Sequence, residues 1–268
     1  MNTFARDTAL RSLGRGVYCA TAHRGWWIDT GPNGGFLAAV MLRAALAELG
    51  DEERSPRSLT LHYLRPPGEG EVRIEVAIER SGRRFSTASL RLSQGGKLCV
   101  VALLACATLQ GGLEVIHKEP PNTTLPEQTP IAPLLPEHPP LRAHFERRPA
   151  FGGEPWQGCA RAVSGGWIRL QDPPDRLEAP LLAAFCDVWP PALFAWARDR
   201  GQIGGVPTVD LTIHFRCDPR QRVFREGEFV LVRFEVHTVR DGCLVEDGEI
   251  WSEDGALLAQ SRQLAVVL

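Results

Sequence analysis

The clearest pattern in the chain is a long apolar run at residues 36–49, which follows Asn33-Gly34-Gly35 and ends before Gly50. Arg43 and Glu48 are its only charged residues. A segment that is apolar on nearly every side is typical of a buried helix that other elements surround. The asparagine is suited to cap the first turn and the last glycine to end the helix. We therefore predict a central helix over residues 36–49.

Several segments alternate apolar and polar residues with a period of two, which predicts β-strands. The strictest cases are residues 72–79 and 230–237, and residues 85–93 form a further strand between two glycine-containing turns. Residues 98–109 are almost wholly apolar, which favours a central strand buried on both faces. The strands follow the helix in sequence, as expected of an antiparallel sheet that packs against it.

The second half of the chain repeats the first. Residues 59–63 read LTLHY and residues 211–215 read LTIHF. Four weaker similarities keep the same order, and they pair residues 25–28 with 165–168, 37–39 with 182–184, 81–82 with 241–242, and 94–95 with 254–255. Similarities that keep one order along the chain indicate a duplicated unit. The repeat predicts a second central helix over residues 181–189.

A proline-rich segment separates the two copies, since ten of the 21 prolines lie between Pro120 and Pro155. Proline fixes φ and removes a backbone donor, which favours an extended connector. The predicted organisation is a first unit at residues 1–112, a connector at 113–155 and a second unit at 156–268. One buried helix followed by antiparallel strands, present twice, is the plan of the double hot-dog fold. This is an α+β architecture in which two long central helices are wrapped by a continuous antiparallel sheet.

The charge, hydropathy and cysteine content of the chain limit the classes of function that we expect. A net charge of −2 gives no reason to expect nucleic acid as a partner. No segment approaches the ~20 continuous apolar residues that span a bilayer, and the N-terminus lacks a signal-peptide pattern. The seven cysteines are scattered and odd in number, which is typical of free thiols in a reducing compartment. We expect a cytoplasmic protein.

The duplication shows where the second copy alone becomes polar, and such positions are candidates for function. By sequence offset, the pairs are Asp187 against Leu42, Thr208 against Pro56, and Gln263 against Leu103. A carboxylate in an apolar helix is destabilising unless it is paired or functional. A glutamine in an apolar strand needs hydrogen-bond partners. Helix, following strand and last strand lie close together in a hot-dog unit, so we expect these three side chains to share one site.

Taken in their order along the chain, several features resemble the acyl-CoA thioesterase II family. They are Asn33-Gly34-Gly35 before the helix, Leu64-Arg65-Pro66 at a strand end, Asp187 ahead of Pro190, the PTVD segment at 207–210, and the late Gln263. The resemblance implies a double hot-dog fold and hydrolysis of fatty acyl-CoA. It also implies that Asp187, Thr208 and Gln263 orient and activate a water molecule, with Thr212 and Gln260 as open alternatives for the last two.

The residues that open the first helix are predicted to bind the substrate. Backbone N–H groups at a helix start attract negative charge, so those around Gly34 and Gly35 are suited to hold the thioester carbonyl oxygen. Glycine also lets a ligand approach the backbone closely. Asn33, Gly34 and Gly35 are therefore the predicted substrate-binding residues.

Two other functions fit the same fold. A non-catalytic acyl-CoA or lipid-binding hot-dog protein would not need Asp187. A hot-dog dehydratase or hydratase would need a catalytic histidine, whereas His62 and His214 occupy matching positions in the two copies, which favours a structural role. No Cys/His cluster has the spacing of a metal site, and no cofactor is predicted. Because a double hot-dog chain resembles a hot-dog dimer whose outer faces pair again, we expect a homodimer or larger homo-oligomer.

Overall fold

The computed structural model of the protein describes residues 1–108, 112–222, 225 and 227–268. The first half contains α1 (Thr3–Asp7), β1 (Arg11–Gly14), β2 (Val17–Ala22), α2 (Gly34–Leu49), β3 (Arg54–Tyr63), β4 (Gly70–Ser81), β5 (Phe85–Gln94) and β6 (Lys97–Thr108). The second half contains β7 (Phe145–Gly152), β8 (Ala162–Leu170), α3 (Ala179–Phe185), α4 (Ala192–Trp196), β9 (Thr208–Phe215), β10 (Val230–Arg240), β11 (Cys243–Ser252) and β12 (Leu257–Val266). No helix among these residues combines the length and hydropathy needed to cross a bilayer.

All twelve strands form one sheet in the order β1-β2-β4-β5-β6-β3-β9-β12-β11-β10-β8-β7. Every neighbouring pair is antiparallel, and the two halves meet where β3 pairs with β9. Thr60 lies opposite Thr212 at this junction, so the two copies of the repeated LT(L/I)H segment sit side by side about a pseudo-twofold axis. The architecture is the predicted double hot-dog, with one continuous sheet and no open edge between the halves.

Helix α2 is buried because its sequence is apolar on nearly all sides. The Oδ1 atom of Asn33 accepts a hydrogen bond from the N–H of Phe36 at 3.0 Å and caps the first turn. Gly50 ends the helix in the left-handed conformation, at φ 58°, which glycine adopts without steric cost. The helix begins two residues before the predicted start and ends at the predicted Leu49.

The predicted second helix at residues 181–189 is wrong in its extent. Helix α3 ends at Phe185, and the N–H of Asp187 bonds the carbonyl of Ala184 in a tight final turn at 3.1 Å. Pro190 and the proline after it exclude helical continuation, because proline lacks an N–H and disfavours a helical residue before it. The chain resumes as α4 only at Ala192, so the described residues of the second half contain no long central helix.

The connector and the N-terminal region also differ from the prediction. The predicted connector at 113–155 contains β7, which pairs with β8 at the end of the sheet. Strands β1 and β2 lie in a region with no predicted strand, and β2 pairs with β4. Residues 24–26 form a 3₁₀ turn whereas residues 165–168 lie in β8, so that sequence similarity is not structural. The strand predicted at 98–109 is observed as β6, and Leu109 lies outside the described residues. The prediction that this strand is buried on both faces is wrong, since one face is open to solvent and Leu103 is 52% exposed.

Candidate active site

The carboxyl group of Asp187 lies at the N-terminus of α2. Its Oδ2 atom accepts hydrogen bonds from the main-chain N–H of Gly35 at 2.9 Å and from Nδ2 of Asn33 at 3.0 Å. The same Nδ2 atom donates to the main-chain carbonyl of Asp187 at 2.7 Å. The positive end of the helix dipole stabilises an anion at this position. The turn after α3 is therefore anchored to the start of α2 through one carboxylate.

Both glycines of the helix start are required by this close approach. A Cβ atom on Gly35 would lie 2.7 Å from the carbonyl oxygen of Ala184, and one on Gly34 would lie 2.8 Å from Oδ2 of Asp187. The hydroxyl of Tyr63 donates to the carbonyl of Gly34 at 2.9 Å and supports the loop from the sheet side. A side chain would therefore collide with the backbone of α3 at Gly35, and with the side chains of Asp187 and Tyr63 at Gly34.

The helix start thus holds a side chain of the protein itself. The N–H of Gly35, predicted to bind a substrate carbonyl oxygen, is donated to Asp187. The cause is electrostatic, since a helix N-terminus attracts an anion and the carboxylate of Asp187 packs against this one. Binding of a substrate oxygen by this N–H stays a prediction, and it requires Asp187 to release the bond.

Burial raises the pKa of Asp187 from 3.8 to about 6, against the opposing effect of hydrogen bonds from Gly35, Asn33 and Gly34. The side chain is nevertheless only half-buried. Within the described part of the chain no donor bonds its Oδ1 atom, and Oδ1 is not sealed from solvent. One oxygen is therefore fixed to the helix while the other is open, on a group whose pKa has moved toward neutrality.

A second set of polar side chains forms a hydrogen-bonded chain across the sheet. The hydroxyl of Thr208 donates to Oε1 of Gln263 at 2.9 Å. Nε2 of Gln263 donates to Oε2 of Glu246 at 2.6 Å, and Oε1 of Glu246 accepts from the N–H of Ala192 at 2.6 Å. Gln263 and Glu246 lie opposite each other on β12 and β11, and both are buried, at 6% and 3% exposed.

Asp187 interacts with this series of hydrogen-bonded side chains through electrostatic repulsion of Glu246. Among the described residues, Asp187 makes no hydrogen bond to Thr208 or Gln263. Burial, followed by the smaller repulsion of Asp187 and Asp247, raises the pKa of Glu246 from 4.5 to about 7. The structure therefore joins Thr208 to Gln263 directly and links Asp187 to them through the field at Glu246.

Glu246 is the residue that the sequence analysis missed. The signal was present, because Leu244 and Ile250 lie on the same face of β11 and are both buried. A period of two along the strand places Glu246 inward with them.

The sheet register refines the comparison of the two copies. Thr60 lies opposite Thr212 and so matches it, which means that Leu59 matches Leu211. Leu59 pairs with Leu104 on β6, and Leu211 pairs with Gln263 on β12. The counterpart of Gln263 is therefore Leu104 and not the exposed Leu103. In turn Leu104 lies opposite Ala88, as Gln263 lies opposite Glu246. The first half has a buried Ala–Leu pair where the second has Glu–Gln.

The two open alternatives from the sequence lie elsewhere. The hydroxyl of Thr212 is 3.1 Å from that of Thr60 at the junction of the halves. Oε1 of Gln260 accepts from Nε of Arg216 at 2.7 Å on the exposed face of the sheet. Neither touches the site. Within the described ranges no group of three or more His, Cys, Asp or Glu side chains could hold a metal ion.

Comparison with known proteins agrees with this fold. The family profile for the acyl-CoA thioesterase N-terminal domain matches residues 23–109, and that for the C-terminal domain matches residues 118–267. An uncharacterised protein of Mycobacterium tuberculosis is 26% identical over 282 aligned positions, which cover 90% of this chain and 88% of that protein.

Two solved structures are similar over the whole chain. One is a hot-dog protein of unknown function from Alicyclobacillus acidocaldarius, with a TM-score of 0.90, 25% identity, and coverage of 100% of this chain and 98% of that one. The other is a candidate thioesterase II from Thermobifida fusca, with a TM-score of 0.85, 26% identity and the same coverage. The resemblance seen in the sequence is thereby confirmed: the chain belongs to the acyl-CoA thioesterase family, with the family's N-terminal and C-terminal domains in tandem.

Proposed function

We propose that the protein hydrolyses acyl-CoA to a free fatty acid and CoA by direct attack of water on the thioester. The observation that carries this proposal is the open Oδ1 of Asp187, whose partner oxygen is fixed at the N-terminus of α2. An ordinary aspartate is too weak a base near neutral pH. With its pKa raised to about 6, Asp187 remains ionised at neutrality and accepts a proton more readily.

In the proposed reaction, water bonded to Oδ1 of Asp187 attacks the carbonyl carbon and gives its proton to that oxygen. The tetrahedral intermediate then expels the CoA sulfur, and the proton on Asp187 passes to the leaving thiolate. Water supplies the oxygen of the new carboxyl group, so no covalent acyl-enzyme forms. The helix dipole at α2 keeps Asp187 ionised before the attack.

Thr208 and Gln263 are proposed to orient the water. Because the Thr208 hydroxyl donates its only proton to Oε1 of Gln263, its oxygen is left with lone pairs alone. It can accept one hydrogen of the water while Asp187 accepts the other. A lone pair of the water oxygen then faces the substrate. Asn33 and Gly35 have the proposed role of holding the base.

The test is a free-thiol release assay on a panel of acyl-CoAs from acetyl to palmitoyl. A thioesterase releases CoA from part of this panel at a rate above the buffer control. A binding protein without activity would bind the same compounds, measured by calorimetry, and release no thiol. A hydratase or dehydratase would instead change the absorbance of an enoyl-CoA without releasing thiol. Either outcome would contradict the proposal.

Three further expectations belong to this function. We propose that residues 1–112 and 156–268, the latter together with β7, act as two units, of which the second carries the polar residues of the reaction. We also propose that the protein works in the cytoplasm, which suits its seven free cysteines and a CoA substrate. The assembly proposed is a homodimer or larger.

A further inference from the structure

We propose that Glu246 is a positioning residue that sets the direction of the hydrogen-bond chain ending at Thr208, and so keeps the Thr208 oxygen an acceptor for the attacking water. This inference rests on the proposed function. Glu246 itself touches no reacting atom. It acts through Gln263, whose amide lies between it and Thr208.

The direction follows from a count of donors and acceptors. Above its pKa of about 7, Glu246 is an ionised carboxylate that has only acceptors, so it accepts both from the N–H of Ala192 and from Gln263. Gln263 must therefore turn its NH₂ group toward Glu246 and its oxygen toward Thr208. Thr208 then has to donate. The charge at one end of the chain decides the role of the hydroxyl at the other end.

A neutral amide at the same position reverses the two bonds that follow it, from position 246 to Gln263 and from Gln263 to Thr208. The N–H of Ala192 still requires an acceptor, so a glutamine at position 246 would direct its oxygen there and its NH₂ group toward Gln263. Gln263 would flip to present its oxygen, and its NH₂ group would face Thr208. The Thr208 oxygen would then accept from Gln263, and its proton would point at the water. The water would receive a donor where the reaction needs an acceptor.

The surroundings of Glu246 suggest that stability is not its purpose. Its nearest neighbours on β10, β12 and α4 are Val236, Gln263 and Ala192, none of which titrates. The charges that reach it are those of Asp187 and Asp247, and both oppose its ionisation. A buried carboxylate without a cation is destabilising. Its counterpart in the first half, Ala88, is apolar and fully buried.

The first experiment compares Glu246→Gln with a matched control. Glu249→Gln makes the same change on the same strand, in a Glu–Gln pair with Gln260 on the other face of the sheet. We expect Glu246→Gln to lower kcat by about 10- to 100-fold, the range for one hydrogen bond to a charged group, with KM unchanged. Glu249→Gln should retain the parent kcat. Equal activity of the two variants would overturn the inference.

The second experiment restores the direction by exchange. In the double variant Glu246→Gln/Gln263→Glu, the glutamine donates to a carboxylate at position 263, whose other oxygen again accepts from Thr208. We expect it to regain much of the kcat that Glu246→Gln loses. A double variant slower than the single one would contradict the proposal, since a purely structural role predicts two additive losses.

A third measurement does not depend on activity. In the parent protein the Gln263 NH₂ protons, observed by NMR of labelled glutamine, should lie far from the Thr208 methyl group, whereas in Glu246→Gln they should contact it. Contact in the parent would overturn the inference even if the protein hydrolyses acyl-CoA. Absence of thiol release by the parent, with the expected NMR contacts, would instead refute the proposed function and leave the hydrogen-bond direction established.

Discussion

The main-chain N–H of Gly35 lies 2.9 Å from Oδ2 of Asp187, so a carboxyl group from the second half of the chain caps the central helix of the first half. The two residues are far apart in sequence, and the contact forms only when α2 and α3 pack together. The Oδ2 atom of Asp187 is held at the helix start, whereas its Oδ1 atom accepts no hydrogen bond from the described residues.

Asp187→Asn keeps the shape of the side chain and an oxygen for the helix start, but removes the proton acceptor. We expect kcat to fall by about 10²- to 10⁴-fold, the usual range for a general base, while acyl-CoA binding persists. Thiol release and calorimetry measure the two effects. Asp175→Asn, on the exposed loop before α3, is the control. An Asp187→Asn protein as fast as the parent would refute the assignment of the base.

The variant Asn33→Asp tests whether the hydrogen bond from Asn33 lowers the pKa of Asp187. Aspartate also caps helices well, so α2 should remain intact. The bond from Nδ2 to Asp187 is lost, however, and a second carboxylate faces the first. Both changes raise the pKa of Asp187 further above about 6. Because the ionised form of Asp187 is the active one, kcat of the parent should fall as pH drops through about 6. In the variant, this fall in kcat should occur at higher pH. An unmoved pH profile would show that another group titrates.

Thr208→Ala and Gln263→Ala should each lower kcat less than Asp187→Asn does. Their combination should lower it by less than the product of the separate effects, because Gln263 acts on the water through the Thr208 hydroxyl. Thr212→Ala is the control, since that hydroxyl bonds Thr60 away from the site. A larger loss in Thr212→Ala than in Thr208→Ala would reverse the choice between the two threonines.

Glu246→Gln should make the protein more stable near neutral pH. The pKa of Glu246 is raised from 4.5 to about 7, so the folded state binds the proton more tightly than the unfolded state. The free energy of unfolding therefore decreases as pH rises between these values. The variant should gain about 3 kcal/mol at high pH, because a pKa change from 4.5 to about 7 costs about 1.4 kcal/mol for each pKa unit, and it should gain little at low pH. Urea unfolding at both pH values measures this, and equal midpoints would refute it.

The assembly prediction is separate from the chemistry. A double hot-dog chain has the shape of a hot-dog dimer, and we expect its outer faces to pair again. Sedimentation velocity at micromolar concentration should show a homodimer or a larger species. A monomer at all concentrations tested would refute this expectation without affecting the site.

Much of the fold was predictable because its signals are local. The extent of α2 depends on an apolar run, the cap at Asn33 and the glycine at position 50, all read within one segment. The alternation of β4 and β10 and the glycine turns between strands act over a few residues. The end of α3 was misjudged because apolar residues continue past Phe185, although two prolines already exclude a longer helix.

The sequence by itself determined the duplicated plan, and it singled out Asp187, Thr208 and Gln263 as polar residues in apolar surroundings. Only the tertiary structure decided what each one bonds. The register between β11 and β12 brings Glu246 to Gln263, and helix packing brings Asp187 to the start of α2. Hydrogen bonds and pKa values depend on distances and burial between segments far apart in the chain. Those quantities have no local signature, so no reading of one segment could supply them.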